Sequence, residues 1–137
     1  EDGRRIVTQN DSFVATVPFF ARYPYEVHIT ARTLGKAALT DFTREEQRDL
    51  AAILKTVLVK YDNLFDMSLP YIMALHQRPT DGGDYPYYQF HIEFYPPNRT
   101  KDKLKYLAGS EAGAGTYIND TLAEEKAAEL RALEPHV

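Results

Sequence analysis

His91 and Glu93 stand two residues apart in the run Tyr87–Tyr95, a spacing that gives them common chemistry. On an extended strand, residues i and i+2 point to the same side. His76 ends the preceding run, and if the two runs pair through the Thr80–Gly83 loop it approaches His91 across the sheet. Two imidazoles and a carboxylate suit a divalent metal, with one coordination position supplied from elsewhere. A hydrogen-bonded polar sheet face uses the same residues at the same spacing, and spacing alone favours that plainer reading. Lys105, Tyr106 and Glu111, followed by Gly113 and Gly115, form a second candidate. A cation and a carboxylate on flexible backbone suit a sugar phosphate, with Lys to the phosphate and Glu accepting from hydroxyls. The competing reading is an ordinary surface loop. His28 falls on the polar face of its strand and is expected at the surface. His136, next to the end, is expected to fray. No serine or cysteine nucleophile motif is present. The glycines at 109, 113 and 115 lack the Gly-Lys-Ser/Thr of a phosphate-binding loop, and no His-Pro-His occurs.

The elements that position these residues follow from hydrophobic periodicity. Arg4–Gln9 and Ser12–Val17 read as strands joined by an Asn10-Asp11 turn. Pro18 and Pro24 bracket an aromatic connector, and a third strand begins at Tyr25, with Glu26, His28 and Thr30 on its polar side. Thr43 and Glu46 form a capping box opening a helix over Arg44–Tyr61, with Leu50, Ile53, Leu54, Val57 and Tyr61 as its apolar stripe. Tyr71–His76 and Tyr87–Tyr95 read as strands, the second alternating fully until Pro96-Pro97 stops it. The stretch from Asn98 to Lys103 reads as polar, and the stretch from Lys105 to Thr116 as rich in glycine and alanine. A last helix is predicted near Thr121, with Glu124 completing a second capping box. Strands with segregated helices make the fold class α+β, an antiparallel sheet with helices packed on it.

Composition narrows the classes. The chain has 137 residues, 44% of them hydrophobic, which fits one domain with a real core. A net charge of -4 argues against a nucleic-acid surface. No apolar run is long enough to span a membrane, and without cysteine there is no disulfide or thiolate metal site. The chain opens on Glu1 and enters a strand straight after Asp2-Gly3, the beginning expected of a fragment.

Several segments resemble the C-terminal domain of galactose-1-phosphate uridylyltransferases. They are Val17-Pro18-Phe19-Phe20-Ala21-Arg22-Tyr23-Pro24-Tyr25-Glu26, Lys60-Tyr61-Asp62-Asn63-Leu64-Phe65, Pro70-Tyr71, His76, and His91 with Glu93-Phe94-Tyr95-Pro96-Pro97. The resemblance runs in order along nearly the whole chain. It implies that residues 1–137 form a single histidine-triad-like domain, one of two such domains in a complete cytoplasmic subunit. It implies transfer of UMP from UDP-glucose to galactose 1-phosphate, giving UDP-galactose, through a uridylyl-histidine. That histidine belongs to a His-Pro-His motif in the N-terminal domain, so no catalytic residue is expected here. The resemblance also implies a homodimer, in which Lys105, Tyr106 and Glu111 reach the hexose 1-phosphate of the neighbouring subunit. His76 and His91 match two family metal ligands for zinc or iron. Glu93 stands where many members carry histidine, and a further glutamate ligand lies upstream. Ser110 replaces a usual tyrosine, and Tyr117 sits near the place of a hexose-contacting glutamine. Two other readings accompany this one: a domain that binds ligand and dimerises without catalysis, and a dinucleoside polyphosphate phosphorylase-type relative.

Overall fold

The structure is a computed structural model, described for residues 3–135; Asp2 of the opening turn signal and His136 lie outside them. Five strands form one antiparallel sheet: β1 (Ile6–Gln9), β2 (Phe13–Thr16), β3 (Val27–Ala31), β4 (Ile72–His76) and β5 (His91–Tyr95), in the order β1-β2-β3-β5-β4. Three helices accompany it, α1 (Arg44–Leu64), α2 (Gly109–Ala114) and α3 (Ala123–Ala132), with a 3-10 turn at Leu39–Asp41. The class is α+β.

Alternation divides the sheet into two faces. Phe13, Ala15, Val27, Ile29, Ile92 and Phe94 point to one side and join Leu50, Ile53, Val57 and Tyr61 of α1 and Ala127 and Leu130 of α3 in the core. The register pairs Val27 with Phe94 and Ile29 with Ile92 on this face. The opposite phase therefore pairs His28 with Glu93 and Thr30 with His91, while β4 brings Ala74 beside Glu93 and His76 beside His91. A one-residue slip would exchange the two sets, so burial of Phe94 fixes the position of Glu93.

Local chemistry explains the boundaries. Asn10 Oδ1 accepts from the N–H groups of Ser12 and Phe13, closing the turn between β1 and β2. The capping box of α1 forms as expected: Glu46 N–H donates to Thr43 Oγ1 at 3.2 Å and Thr43 N–H to Glu46 Oε2 at 2.7 Å. The helix runs one turn past Tyr61, because Asp62 and Asn63 do not stop it. Asp62 Oδ1 instead accepts from Leu69 N–H in the next loop, and Asn63 donates to the Glu134 carbonyl. The strand expected over Tyr87–Tyr95 shortens to β5. Tyr88 N–H turns back to the Tyr85 carbonyl, and Phe90 N–H donates to the Lys36 carbonyl. The polar stretch after Pro97 is a small hairpin, β6 (Asn98–Thr100) with β7 (Lys103–Leu104). The second capping box does not form. Thr121 Oγ1 donates to Asn119 Oδ1, and α3 starts from Leu122 without a side-chain cap.

The Glu46 carboxyl is held below its ordinary value, first by the Thr43 N–H and then by Lys36. Asp41 is held down likewise, first by the Ala37 N–H, with Ala38 and Arg78 adding to it. A depressed folded value means that stability is complete above the unfolded carboxyl range, around pH 4, and is lost as pH falls through the folded values. The melting temperature is expected to fall between about pH 4.5 and 3, with Glu46→Gln flattening part of that slope. An unchanged slope in the variant would show that the cap makes no pH-dependent contribution.

Candidate functional site

The polar face of the sheet gathers three imidazoles and a phenol around one carboxylate. Glu93 Oε1 lies 3.4 Å from His91 Nε2 and 3.8 Å from His28 Nδ1, and Oε2 lies 3.3 Å from His76 Nε2. Tyr95 donates its hydroxyl to Oε2. The rings of His76 and His91 stack at 4.7 Å. His91 Nδ1 faces the Gln89 carbonyl at 2.9 Å, an acceptor only, so Nδ1 carries the proton and the Nε2 lone pair faces Glu93. His76 Nε2 is buried and makes no hydrogen bond. Buried polar atoms without partners are rare and unfavourable, so an orphan at this place fits an absent cation. Ligand atoms of His76, His91 and Glu93 all lie within 4.8 Å of one another. The donor set, two neutral nitrogens and one carboxylate, suits zinc or ferrous iron.

His28 is not at the surface. It is 9% exposed and its Nε2 lies 2.8 Å from Glu26 Oε1. The polar phase of β3 faces Glu93 rather than water, and the Phe20 ring closes over His28 edge-on at 5.8 Å. Glu26 is buried as well, its other oxygen accepting from the N–H groups of Arg22 at 2.6 Å and Tyr23 at 3.2 Å. The proline-bracketed connector is folded so that its backbone holds this carboxylate. The Glu26-x-His28 spacing was the available signal, since it repeats the spacing of His91 and Glu93.

The second candidate loop closes on itself. Lys105 Nζ sits 3.0 Å from Glu111 Oε2 and also donates to the Ile118 carbonyl. Glu111 caps α2 by accepting from Ala108 N–H at 3.0 Å, and it accepts from Ile118 N–H at 3.2 Å. The Ala108 N–H, Lys105 and the Ile118 N–H hold its carboxyl below the ordinary range. The structure thus brings Lys105 and Glu111 together, while Tyr106 stands apart at 84% exposed. Tyr117 packs under the Arg22 guanidinium at 5.0 Å and faces Tyr23, whose ring lies 5.8 Å from Tyr95. A row of tyrosines therefore runs from the loop to Glu93. Burial raises the Tyr23 phenol above its ordinary value, with Tyr117 and Glu111 adding to it. Two recesses open nearby. One of about 180 Å³ is lined by Tyr23, Tyr71, Ile72 and Tyr95. The other, about 680 Å³, lies over β1–β3 beside Arg5, Phe19, Phe20 and His28.

The model of the family described as galactose-1-phosphate uridyl transferase, C-terminal domain, matches residues 1–137. The chain belongs to that family. A galactose-1-phosphate uridylyltransferase from Thermotoga maritima is 42% identical over 138 residues, covering 100% of this chain and 43% of the relative. A solved uridylyltransferase structure superposes with a TM-score of 0.88 at 41% identity, over 96% of this chain and 42% of that one. A Zn-bound histidine triad family protein from Mycobacterium smegmatis shares the fold at TM-score 0.59 and 16% identity, over 93% of this chain and 81% of its own. The chain spans less than half the length of the uridylyltransferases it matches. Among the described residues no helix is long and apolar enough to cross a membrane.

Proposed function

We propose that this domain is the hexose-phosphate-binding and dimer-forming part of a cytoplasmic UDP-glucose–hexose-1-phosphate uridylyltransferase. Its family membership along residues 1–137 carries the reading. UMP passes from UDP-glucose to a histidine of an N-terminal domain and then to galactose 1-phosphate. The phosphorus–oxygen bond to glucose 1-phosphate breaks as the phosphorus–nitrogen bond forms, and the second step replaces that nitrogen by the phosphate oxygen of galactose 1-phosphate. This chain has no His-Pro-His to carry the nucleophile. Its part is positioning: Lys105 supplies positive charge to the hexose phosphate, Glu111 accepts from sugar hydroxyls, and Tyr106 offers an exposed ring, in the active site of a neighbouring subunit. The 3.0 Å Lys105–Glu111 pair supports this by keeping a cation and an acceptor side by side, and a hexose phosphate would displace the contacts with Ile118 that now occupy both. A zinc or iron ion held by His76, His91 and Glu93 would tie β4 to β5 and so would contribute structurally.

The chain alone is expected to form no covalent uridylyl adduct with UDP-glucose. An adduct seen by intact mass would give this domain its own nucleophile and overturn the division of labour. In the complete enzyme, Lys105→Met is expected to raise KM for hexose 1-phosphate on the order of tenfold or more, the effect of losing a charge-assisted hydrogen bond. Uridylylation by UDP-glucose should proceed as before. Lys105→Met leaves the Glu111 cap of α2 in place, and an unchanged KM would remove Lys105 from the substrate site.

A further inference from the structure

We propose that His28 is a fourth protein ligand of the metal centre, bound through Nδ1, and that Glu26 is the residue that orients it. The inference rests on the metal reading of His76, His91 and Glu93. It adds a ligand from β3 that the family resemblance does not supply, since the resemblance looks upstream for one.

The argument begins with where protons sit. Glu26 Oε1 accepts from His28 Nε2 at 2.8 Å, so Nε2 carries the proton and the neutral ring presents a lone pair at Nδ1. That lone pair faces Glu93 Oε1 at 3.8 Å. His91 presents its Nε2 lone pair to the same oxygen at 3.4 Å, because its Nδ1 is committed to the Gln89 carbonyl. His76 Nε2, without any hydrogen bond, stands 3.3 Å from the other oxygen. Acceptors thus converge from three strands, and the hydroxyl proton of Tyr95 on Glu93 Oε2 is the donor that the hydrogen bonds assign among them. Such an arrangement is unfavourable alone and favourable around a cation. Four ligands at about 2.0–2.1 Å in a tetrahedron stand roughly 3.4 Å apart. The His28–Glu93 contact is a few tenths of an ångström wider than this, and His28 lies outside the 4.8 Å group of His76, His91 and Glu93, so binding draws its ring inward toward the other two imidazoles.

The surroundings match those of a ligating histidine. Such residues donate their other ring N–H to a carboxylate or carbonyl, which fixes tautomer and ring orientation. Glu26 does this for His28 and the Gln89 carbonyl does it for His91. Glu26 is itself immobilised by two backbone N–H groups, and Phe20 shields the imidazole from water. A surface histidine needs none of this support. The recess of about 680 Å³ that reaches His28 offers the ion a way in.

The test uses zinc titrated into the 137-residue chain carrying ¹⁵N-labelled histidine. A ring nitrogen that binds zinc shifts to a distinct resonance. At saturation His28 is expected to shift at Nδ1 and His91 at Nε2, with His76 joining them. In a chelator competition, His28→Gln should weaken zinc by more than about tenfold. Glu26→Gln, which touches no metal, should weaken it by about tenfold while the His28 Nδ1 shift persists. Unmoved His28 nitrogens, with His76 and His91 shifted, would overturn the assignment and leave the three-residue centre standing. Failure of the parent chain to bind zinc would overturn both. Should His28→Gln fail to fold, the labelled parent still decides.

Discussion

Truncating Phe94 to alanine is expected to lower the stability of the domain by about 3–5 kcal/mol, among the largest losses a single core change can cause. Phe94 is fully buried at the centre of β5 and touches Tyr71 at 5.4 Å and Tyr61 of α1 at 6.0 Å, both edge-on. Removing the ring forfeits its transfer from water and leaves a void between sheet and helix. Tyr61 cannot move to fill it, because its hydroxyl is tied to the Tyr25 carbonyl at 2.8 Å. The neighbour Met73 pairs with Phe94 in register but is 45% exposed, so Met73→Ala should change stability by less than about 1 kcal/mol. Urea unfolding of both variants checks the contrast. A Phe94→Ala loss below about 1.5 kcal/mol would mean that the interface collapses around the void and that β5 is not rigidly backed. The consequence reaches the site, since Glu93 and Tyr95 project from the other side of the same strand.

How far such features were legible depended on whether their causes were local. The Asn10 turn, the Thr43–Glu46 box and the face assignment of β5 rest on neighbours within a few residues, and the structure has all three. The meeting of His76 with His91 was also readable, because the phases of two strands and one connecting loop decide it. His28 was misplaced for a reason that no pattern within its own strand contains. Alternation correctly put it on the polar face, but whether that face meets water depends on Phe20 and on a carboxylate anchored by the backbone of Arg22 and Tyr23. Helix α2 was read only as a glycine- and alanine-rich stretch. What organises it is the Glu111 carboxylate, bonded backward to Ala108 and forward to Ile118. Thr121 shows the reverse error: its cap signal is present, but the helix starts one residue later, from Leu122, and the Thr121 hydroxyl donates to Asn119 Oδ1 instead of capping it.

Glu93→Gln is expected to weaken zinc binding by more than about 100-fold, exceeding the loss from removing a supporting group. The amide keeps the shape of the side chain, so packing on β5 is preserved while the anionic ligand is lost. Glutamine also supplies two N–H donors where the parent has only acceptors. With the amide oxygen in the place of Oε2, Tyr95 can still donate to it, and the amide nitrogen in the place of Oε1 can serve the Nε2 lone pair of His91. Without metal the variant should therefore melt at or above the temperature of the parent. With saturating zinc the order should reverse, because an ion that binds only the folded state stabilises it in proportion to the logarithm of its concentration over Kd. This crossing separates a metal centre from a hydrogen-bonded polar face. A polar face predicts that Glu93→Gln lowers stability equally with and without zinc, through loss of contacts between the carboxylate and its imidazole neighbours. Equal zinc affinity in the two proteins, measured by chelator competition, would end the case that these lone pairs are arranged for a cation.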